Sequence, residues 1–443
     1  MKRITFSIVL KRLGENMGRS FIKTLTALTL LTLAVGCSKS SEVESIVVAV
    51  PKTLYVASGA CYSGSGITTY TGPLSSRAVT KWSTALGTPG GSSTFTDLNV
   101  GTNVSANTVP QAMIDKGDHI LLLTENATTM SDRKIFRIMK NDTSTYFVHA
   151  TDPTAFTATA THITRSMAQD ADGSISFTKS LFAERINSLG IRIVKGGANP
   201  WVNSAAATGN CFTAAATQIQ NVTLMQPFTA MNQGKLLFIH AGATAATNRI
   251  GAIQRSGLTS ATAADCAGSN PAGGASTVAH VNAPNLTGPV TFVATGASLT
   301  SMVYIRTPAP ATTTGKLIVS YSGSVATAFD NNTTFNYGVV MWNVTEASDT
   351  AVTIDTPTIL WRDESVVWAP SSMAYDSSTG SLYVAVGGAP GVINQTTAGY
   401  GYNIEKFSLD INTPLMTRVS KNNQPFIIGN AYTKCISNMV VAD

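Results

Sequence analysis

A short antiparallel hairpin pattern recurs along this chain, and it restricts the possible folds more than any other feature. Near the C-terminus, Ser371–Asp376 is followed by a Ser/Thr/Gly turn and then by Ser381–Gly388. Two apolar runs joined by such a turn predict a β-hairpin, and Ile404–Leu409 predicts its third strand. The same order of elements recurs over Gln111–Asp115, His119–Leu123 and Lys134–Ile138.

Weaker copies of this pattern occupy other parts of the chain. They are Thr53–Gly59 with Ala78–Trp82, Gly190–Val194, Lys235–Ile239 with Arg249–Ile253, and Ser301–Ile305. Repeats of roughly 40–50 residues made of short antiparallel strands are typical of β-propellers, although here the spacing varies. We therefore predict an all-β protein, with a β-propeller of six or seven blades over residues 53–443. A β-sandwich or an irregular multi-sheet β domain is the alternative fold.

The two ends of the predicted propeller complement each other. The first copy lacks an innermost strand, and the terminal segment Ile436–Asp443 resembles the strand that is missing. Propellers commonly build one blade from both chain ends, because closure removes exposed sheet edges. We predict that the terminal strand pairs with the Thr53 strand and that Asp443 lies opposite Thr53. The alternative is that it pairs with some other neighbouring strand.

The cysteines extend this prediction. Besides Cys37 the chain has Cys61, Cys211, Cys266 and Cys435, and four cysteines in an exported chain allow two disulfides in three connectivities. The predicted register places Cys435 opposite Cys61, near the separation that a disulfide bridges. Cys211 and Cys266 would then pair by elimination. Four buried free thiols are the alternative.

The first 36 residues have the pattern of an export signal. Six basic residues lie before or at the start of an uncharged apolar stretch over residues 24–36, which is too short to span a membrane permanently. The stretch ends in Ala34-Val35-Gly36-Cys37, which resembles the lipobox of bacterial lipoproteins, although Ala34 stands where that family more often has Leu. Initiation at Met17 would leave a shorter leader of the same kind.

The lipobox resemblance has consequences for location. It implies a signal peptide over residues 1–36, a lipidated Cys37 that carries fatty acid such as palmitate, and a flexible tether over residues 37–52. The membrane is then a partner through this N-terminal lipid. Ser38 resembles the residue found in lipoproteins that are sent onward to the outer membrane. We therefore expect a lipid-anchored protein of the cell envelope, held at the outer membrane.

The charge of the chain belongs mainly to its leader. The net charge is +6 and the sequence pI is about 9.0. Six of the 30 Lys/Arg residues and one of the 24 Asp/Glu residues lie in the leader, which leaves 24 basic and 23 acidic residues and a net charge of about +1. Because no long basic run remains, we expect no nucleic-acid partner.

The sequence contains no nucleophile elbow, P-loop, HExxH, CxxC pair or dinucleotide-binding fingerprint. The histidines have no metal-ligand spacing and are interpreted as structural. They are His119, His149, His162, His240 and His280. The tryptophans are interpreted mainly as core residues. They are Trp82, Trp201, Trp342, Trp361 and Trp368.

Two groups of carboxylates have a possible metal-binding interpretation. Asp170 and Asp172 begin a calcium-loop pattern but lack the distal Glu, which favours a polar turn. Asp115, Asp376 and Asp443 recur at hairpin ends and could form a cation or catalytic cluster, as in the gluconolactonase-like calcium enzymes that a propeller resembles at fold level. Turn formation by Asp explains the same pattern and is favoured.

For function, the missing catalytic motifs and the long Ser/Thr/Ala/Gly loops favour a non-enzymatic binding or surface-interaction module. Its partner would be an envelope protein or a glycan. Two alternatives stay open: a propeller hydrolase or lactonase that uses a channel metal ion, and a scaffold subunit of an envelope assembly. We expect no catalytic residues, no metal site and no cofactor in the first case. Calcium belongs to the hydrolase alternative.

Overall fold

Short β-strands build the unit Val50–Asp443, the larger of the two units into which the chain divides. The computed structural model describes residues 52–58, 78–84, 95–97, 108–126, 134–141, 146–151, 162–163, 167–169, 175–181, 190–194, 210–213, 217–225, 235–242, 249–254, 280–281, 298–307, 314–322, 337–346, 352–355, 358–363, 370–386, 403–419, 425–427, 433 and 436–443. No helix formed by these residues has the length and apolar character needed to cross a lipid bilayer.

The strands in chain order are β1 (Thr53–Ser58), β2 (Ala78–Ser83), β3 (Phe95–Asp97), β4 (Thr108–Asp115), β5 (His119–Asn126), β6 (Lys134–Met139), β7 (Tyr146–Thr151), β8 (His162–Ile163), β9 (Met167–Gln169), β10 (Ile175–Leu181), β11 (Gly190–Val194), β12 (Asn210–Thr213), β13 (Thr217–Met225), β14 (Lys235–Gly242), β15 (Arg249–Gln254), β16 (His280–Val281), β17 (Ser298–Arg306), β18 (Thr314–Ser322), β19 (Tyr337–Glu346), β20 (Val352–Ile354), β21 (Thr358–Asp363), β22 (Pro370–Asp376), β23 (Ser381–Val386), β24 (Asn403–Asp410), β25 (Leu415–Arg418) and β26 (Asn438–Ala442).

Over the described ranges these strands form six antiparallel sheets, so the all-β prediction is confirmed. Four sheets have the orders β26-β1-β2-β3, β4-β5-β6-β7, β13-β14-β15-β16 and β22-β23-β24-β25. In a fifth, β8 and β9 both pair with β10, which continues to β11 and β12. In the last, β17-β18-β19 continues to both β20 and β21.

The two hairpins that the sequence predicts most clearly are confirmed. Asp376 lies opposite Ser381, and Asp115 lies opposite Ile120. Each turn contains a glycine with positive φ, 63° at Gly380 and 87° at Gly117, a conformation in which a Cβ is disfavoured. The turns therefore occur where the sequence supplies an Asp followed by a Gly.

The predicted pairing of the two chain ends is also confirmed, with a correction to its register. β26 runs antiparallel to β1, with Val441 opposite Leu54 and Asn438 opposite Ala57. Ala442, not Asp443, lies opposite Thr53, so the predicted register is wrong by one residue. Asp443 extends one residue beyond the position equivalent to Asp376.

This register bears on the predicted disulfides. From the pair Asn438 and Ala57, Cys435 is three residues away along the chain and Cys61 is four, so the direct opposition on which the prediction depended does not follow. Both residues lie outside the described ranges, as do Cys37 and Cys266, and Cys211 is described only as part of β12. The Cys61–Cys435 and Cys211–Cys266 bridges therefore stay predictions.

One strand of each sheet contacts the equivalent strand of the next sheet, and these contacts form a closed circuit. The order is β9, β13, β17, β22, β26, β4 and again β9. We call these six the innermost strands. The sequence-based repeat missed β9, because residues near Asp170 suggest a calcium loop more readily than the end of a strand. In the structure Gln169 pairs with Ile175, so β9 and β10 form the same kind of hairpin as β22 and β23.

The core lies between neighbouring sheets and is filled by a repeated methionine. The innermost strands apart from β13 each carry one buried methionine, Met113, Met167, Met302, Met373 and Met439. Met439 packs with Ala374 and Tyr383 of the neighbouring sheet. Because methionine is unbranched and flexible, it fills an irregular gap between two twisted sheets without a strict shape requirement.

Replacing Met439 by Ala tests how strongly the terminal strand is held. Met439 is 3% exposed, and truncating a buried Met costs about 2–5 kcal/mol of unfolding free energy. Leu415→Ala is the control, since Leu415 is 60% exposed and its truncation should change the unfolding free energy by less than about 0.5 kcal/mol. Denaturant unfolding measures both. Equal effects for the two variants would contradict the packing role of β26.

Candidate functional site

Four of the six innermost strands have a β-bulge near their N-terminal ends. The pairing register of β4, β13, β17 and β22 each shifts by one residue, which leaves Gln111, Gln220, Thr300 and Ser371 as the extra residues. In β26 the amide of Ser437 donates to the carbonyl of Ala57 at 3.0 Å, although Ala57 lies opposite Asn438. That is the same arrangement of two residues against one.

These bulges bring a set of neutral polar residues to one end of the circuit. We call the set the collar, and it consists of each extra residue with the residue that follows it. The members are Gln111, Ala112, Gln220, Asn221, Thr300, Ser301, Ser371, Ser372, Ser437 and Asn438. All except Ala112 are polar, and none is charged. Bulges often lie beside active sites, where they redirect a side chain.

Some collar side chains join neighbouring sheets. The amide of Met373 donates to Ser301 Oγ at 3.1 Å, and the amide of Met113 donates to Asn438 Oδ1 at 3.1 Å. Ser437 Oγ also donates to the carbonyl of Pro110 at 3.0 Å. The innermost strands expose an edge whose amides need acceptors, and the collar supplies them.

Other collar groups lie buried at the same level. Gln111 and Ser372 are each 2% exposed. The hydroxyl of Ser371 is buried and has no hydrogen-bond partner among the groups that the structure describes. Leaving a buried hydroxyl without a partner costs on the order of 1–3 kcal/mol, so a ligand group that bonds to Ser371 Oγ would recover free energy.

The opposite end of the circuit is charged. We call Lys52, Asp115, Lys140, Asp376 and Asp443 the charged rim. Lys52 Nζ lies 3.5 Å from Asp376 and 3.7 Å from Asp443. Lys140 Nζ lies 2.6 Å from Asp115 and donates to the Asp443 carbonyl at 3.2 Å. Alternating charges thus join three sheets at the point where the two chain ends meet.

The carboxylates of the charged rim are turn residues, as the sequence favours. Asp115 Oδ1 accepts the amide of Gly117 at 3.0 Å, and Asp376 Oδ1 accepts the amide of Ser378 at 2.9 Å. Burial raises the pKa of Asp376, but hydrogen bonds from Ser378 and Thr379 and the charge of Lys52 outweigh it and hold that pKa below its usual value. Because lysines lie between these carboxylates, the donor set does not fit a cation.

A buried polar group lies next to the charged rim, between two sheets. Lys406 is 7% exposed, and its ammonium lies 5.5 Å from the ring centroids of both Tyr383 and Phe426. It donates to the carbonyl of Thr84 at 3.4 Å, across the boundary between the sheets. Burial lowers the pKa of Lys406, while Asp376 opposes that shift.

Tyr383 belongs to the same buried group. Its hydroxyl faces those of Thr84 and Ser381 but makes no hydrogen bond of ordinary geometry with described groups. Burial, and then the charge of Asp376, raise the pKa of Tyr383, so it stays a neutral phenol at physiological pH. The buried ammonium of Lys406 therefore joins two sheets through its contact with the carbonyl of Thr84.

The structure places the other predicted residues as follows. His119 Nδ1 lies 2.5 Å from Asp118 Oδ1 on the exposed hairpin end, which fits a structural role. Trp82 and Trp342 are buried, and Trp361 packs on Phe407 with ring centroids 5.0 Å apart. Asp170 and Asp172 lie outside the described residues. Within the described ranges, no three His, Cys, Asp or Glu residues are grouped so that they could hold a metal ion.

The sequence interpretation missed both the collar and Lys406. A signal for the collar exists, because a neutral polar residue two positions before the methionine recurs in Gln111-Ala112-Met113, Thr300-Ser301-Met302, Ser371-Ser372-Met373 and Ser437-Asn438-Met439. Lys406 gives no such signal, since a lysine within an alternating strand normally faces solvent.

No protein-family model and no curated protein matches the chain. Among solved structures, a protein of unknown function from Bacteroides caccae has a TM-score of 0.38 at 10% identity, over 89% of this chain and 99% of that one. The α-L-arabinofuranosidase Arb93A of Fusarium graminearum has a TM-score of 0.40 at 10% identity, over 73% and 83%. The endo-arabinase of Bacteroides thetaiotaomicron has a TM-score of 0.31 at 12% identity, over 71% and 95%.

These comparisons correct one prediction from the sequence. Two of the three similar structures are enzymes by name, an arabinofuranosidase and an endo-arabinase. The prediction of a non-enzymatic binding or surface-interaction module is wrong against this finding, and the hydrolase alternative agrees with it better. The sequence misled because missing catalytic motifs count as evidence only for families whose motifs are short and local.

Asp376→Asn tests the charged rim. The lowered pKa means that ionised Asp376 stabilises the fold above its unfolded pKa near 3.8, and this stabilisation is lost as pH falls through the lower folded value. We expect a loss of about 1–3 kcal/mol at pH 7 that shrinks below pH ~4. Asp410→Asn is the matched control, because Asp410 forms a similar turn in an exposed place. Equal losses would contradict the role of burial and of Lys52.

Lys406→Met tests the cost of the buried amine. The pKa of Lys406 is lower in the folded protein than its ordinary value of 10.5. Between these two pKa values the unfolded chain binds more protons than the folded one, so the stability of the wild-type protein should rise with pH in that range. Removing the charge should raise the unfolding free energy at pH 7 by about 1–2 kcal/mol and flatten this rise. Thermal unfolding between pH 7 and 9.5 measures it, with Lys316→Met as control. A destabilised Met variant with an unchanged pH slope would refute the interpretation.

Proposed function

We propose that this protein is a lipid-anchored hydrolase of the cell envelope, built as a six-bladed β-propeller, that acts on a neutral, hydroxyl-rich substrate such as a polysaccharide chain. One observation carries the proposal: the register places neutral polar residues of several innermost strands at one end of a closed circuit of strands. Ligand sites in such folds lie where side chains of several repeats converge on a rigid frame.

The circuit of innermost strands supports the propeller. Six separate sheets, each meeting its neighbours through one strand, fit six blades around a central axis. The pairing of β26 with β1 supports closure of one blade by both chain ends. In this arrangement the collar and the charged rim lie at the two mouths of the central channel.

The chemistry of the collar supports a neutral substrate. Hydroxyl and amide side chains both donate and accept hydrogen bonds, as sugar hydroxyls do, and carry no charge that must be desolvated. Ser371 Oγ, buried without a described partner, is the group with free capacity. An acidic or phosphorylated substrate would instead need Arg or Lys at this end.

Hydrolysis of a glycosidic bond needs carboxylic groups for acid and base chemistry. Three strands run toward the collar, and each of them has a carboxylic residue at or next to its last position. Glu125 lies opposite Val109 of the innermost strand β4, Asp97 ends β3 opposite Thr80, and Asp363 ends β21 opposite Tyr337. We assign Glu125 the acid or base role, because its strand is next to the innermost one.

The location of the enzyme follows from the leader. Lipidation of Cys37 after export would hold the hydrolase at the membrane, where polymeric envelope or environmental glycans are available. A calcium ion is not required by this proposal, and the charged rim does not offer a suitable donor set. The scaffold alternative has no specific observation in its favour.

A hydrolysis assay on neutral polysaccharides tests the proposal. Release of reducing ends by the wild-type protein should fall by about 100-fold or more in Glu125→Gln, since general acid–base catalysis contributes about 10²–10⁴-fold. Glu346→Gln is the matched control, because Glu346 ends β19 at the opposite end of its sheet. Ser371→Ala should raise KM by about 3- to 10-fold with little change in kcat, and Thr417→Ala should leave both unchanged. A wild-type protein that neither cleaves these polymers nor shifts its melting temperature with them would refute the proposal.

A further inference from the structure

The chain enters the folded body beside one end of the circuit and not beside the other. Lys52 precedes β1, and Thr53 lies opposite Ala442 near the end of the innermost strand β26. The ammonium of Lys52 contacts Asp376, which ends the innermost strand β22, and Asp443, which follows the end of the innermost strand β26. The chain therefore enters the folded body at the charged rim, at the end opposite the collar.

The distances make this entry point favour one orientation of an anchored protein. An innermost strand such as β22 has seven residues, so the collar lies on the order of 20 Å from the charged rim. Fifteen residues lie between Cys37 and Thr53, and if they form the tether that the sequence predicts, its average span would be about 20 Å. Turning the collar toward the membrane would require the tether to pass along the whole height of the body.

A second observation concerns the same end. Leu415 is 60% exposed and is the large apolar side chain that stands out in solvent among the described residues. It begins β25 directly after the tip of the β24–β25 hairpin, opposite Asp410. β24 starts beside Val386 and ends beyond Ser381, so its tip lies at the end where β22 stops, with the charged rim.

The hairpin tip that presents Leu415 is held by its own hydrogen bonds. Asp410 Oδ1 accepts the amides of Asn412 at 2.9 Å and Thr413 at 3.3 Å, and Thr413 Oγ1 donates to Asp410 Oδ2. These bonds fix the turn. Contact of Leu415 with an apolar phase therefore costs little additional conformational entropy of the backbone. The exposed carboxylate of Asp410 disfavours an anionic surface and is compatible with zwitterionic headgroups.

We propose that the charged rim together with the Leu415 hairpin is the membrane-facing surface, that Leu415 inserts at the interface of a zwitterionic bilayer, and that the collar faces away from the membrane. This inference depends on the lipid anchor of the proposed function but not on its hydrolase activity. Burial of one leucine is too weak to bind the protein to a membrane by itself and strong enough to orient a protein that is already tethered. The collar is thereby open to soluble polymer.

The test uses the full-length lipidated protein in phosphatidylcholine vesicles whose acyl chains carry bromine, which quenches nearby tryptophan. Leu415→Trp adds a reporter at the hairpin, and Arg362→Trp adds one on β21 near the collar end, where Arg362 is exposed and lies opposite Gly338. Relative to the wild-type emission, the added signal of Leu415→Trp should be mostly lost in brominated vesicles. The added signal of Arg362→Trp should persist.

The outcomes separate the inference from the proposed function. Quenching at position 362 without quenching at 415, or quenching at neither position, would overturn the orientation while leaving the anchor and the hydrolase untouched. Release of the wild-type protein from vesicles, as expected for Cys37→Ser, would remove the anchor and the inference together. Melting temperatures equal to that of the wild type confirm that both variants are folded. Loss of polysaccharide hydrolysis alone would leave the orientation standing.

Discussion

The antiparallel pairing of β26 with β1 is the constraint on which the rest of the structure depends. β1 is the first described strand and β26 is the last, so the sheet β26-β1-β2-β3 is complete only when the two are paired. Without β26, the first sheet would expose the edge of β1, and the circuit from β22 to β4 would be interrupted. The charged rim reinforces this junction, since Lys52 and Asp443 flank it.

The same repeated feature holds the sheets together and creates the candidate site. An innermost strand has one edge without a ladder partner, and its bulge offers small polar side chains to the amides of the next strand, as Ser301 does for Met373. Two adjacent residues thus serve both functions: Ser301 accepts the amide of Met373, and the next residue, Met302, is buried in the core. Because the bulges of β4, β13, β17 and β22 all lie near the N-terminal end of their strand, the polar residues gather at one end of the circuit rather than being scattered along it.

Charge is distributed unequally between the two ends of the circuit of innermost strands. Neutral hydrogen-bonding groups occupy one end, buried methionines lie behind them, and alternating carboxylates and ammonium groups occupy the other end with the chain entry and Leu415. The buried amine of Lys406 contributes to the boundary between two sheets at a desolvation cost. In the tethered enzyme that we propose, the neutral end of the circuit would face substrate and the charged end would face the lipid surface.

The sequence by itself determined the strands, the hairpin turns and the meeting of the chain ends, because alternation of apolar residues and Asp-to-Gly turns act over a few neighbouring positions. It did not determine the register of β26, the role of β9, the collar or the burial of Lys406. Register depends on which faces two strands bury together, and one residue separates Ala442 from the predicted Asp443. The collar exists only when sheets far apart in sequence bring Ser301 to Met373 and Asn438 to Met113, and only the tertiary structure decides that contact.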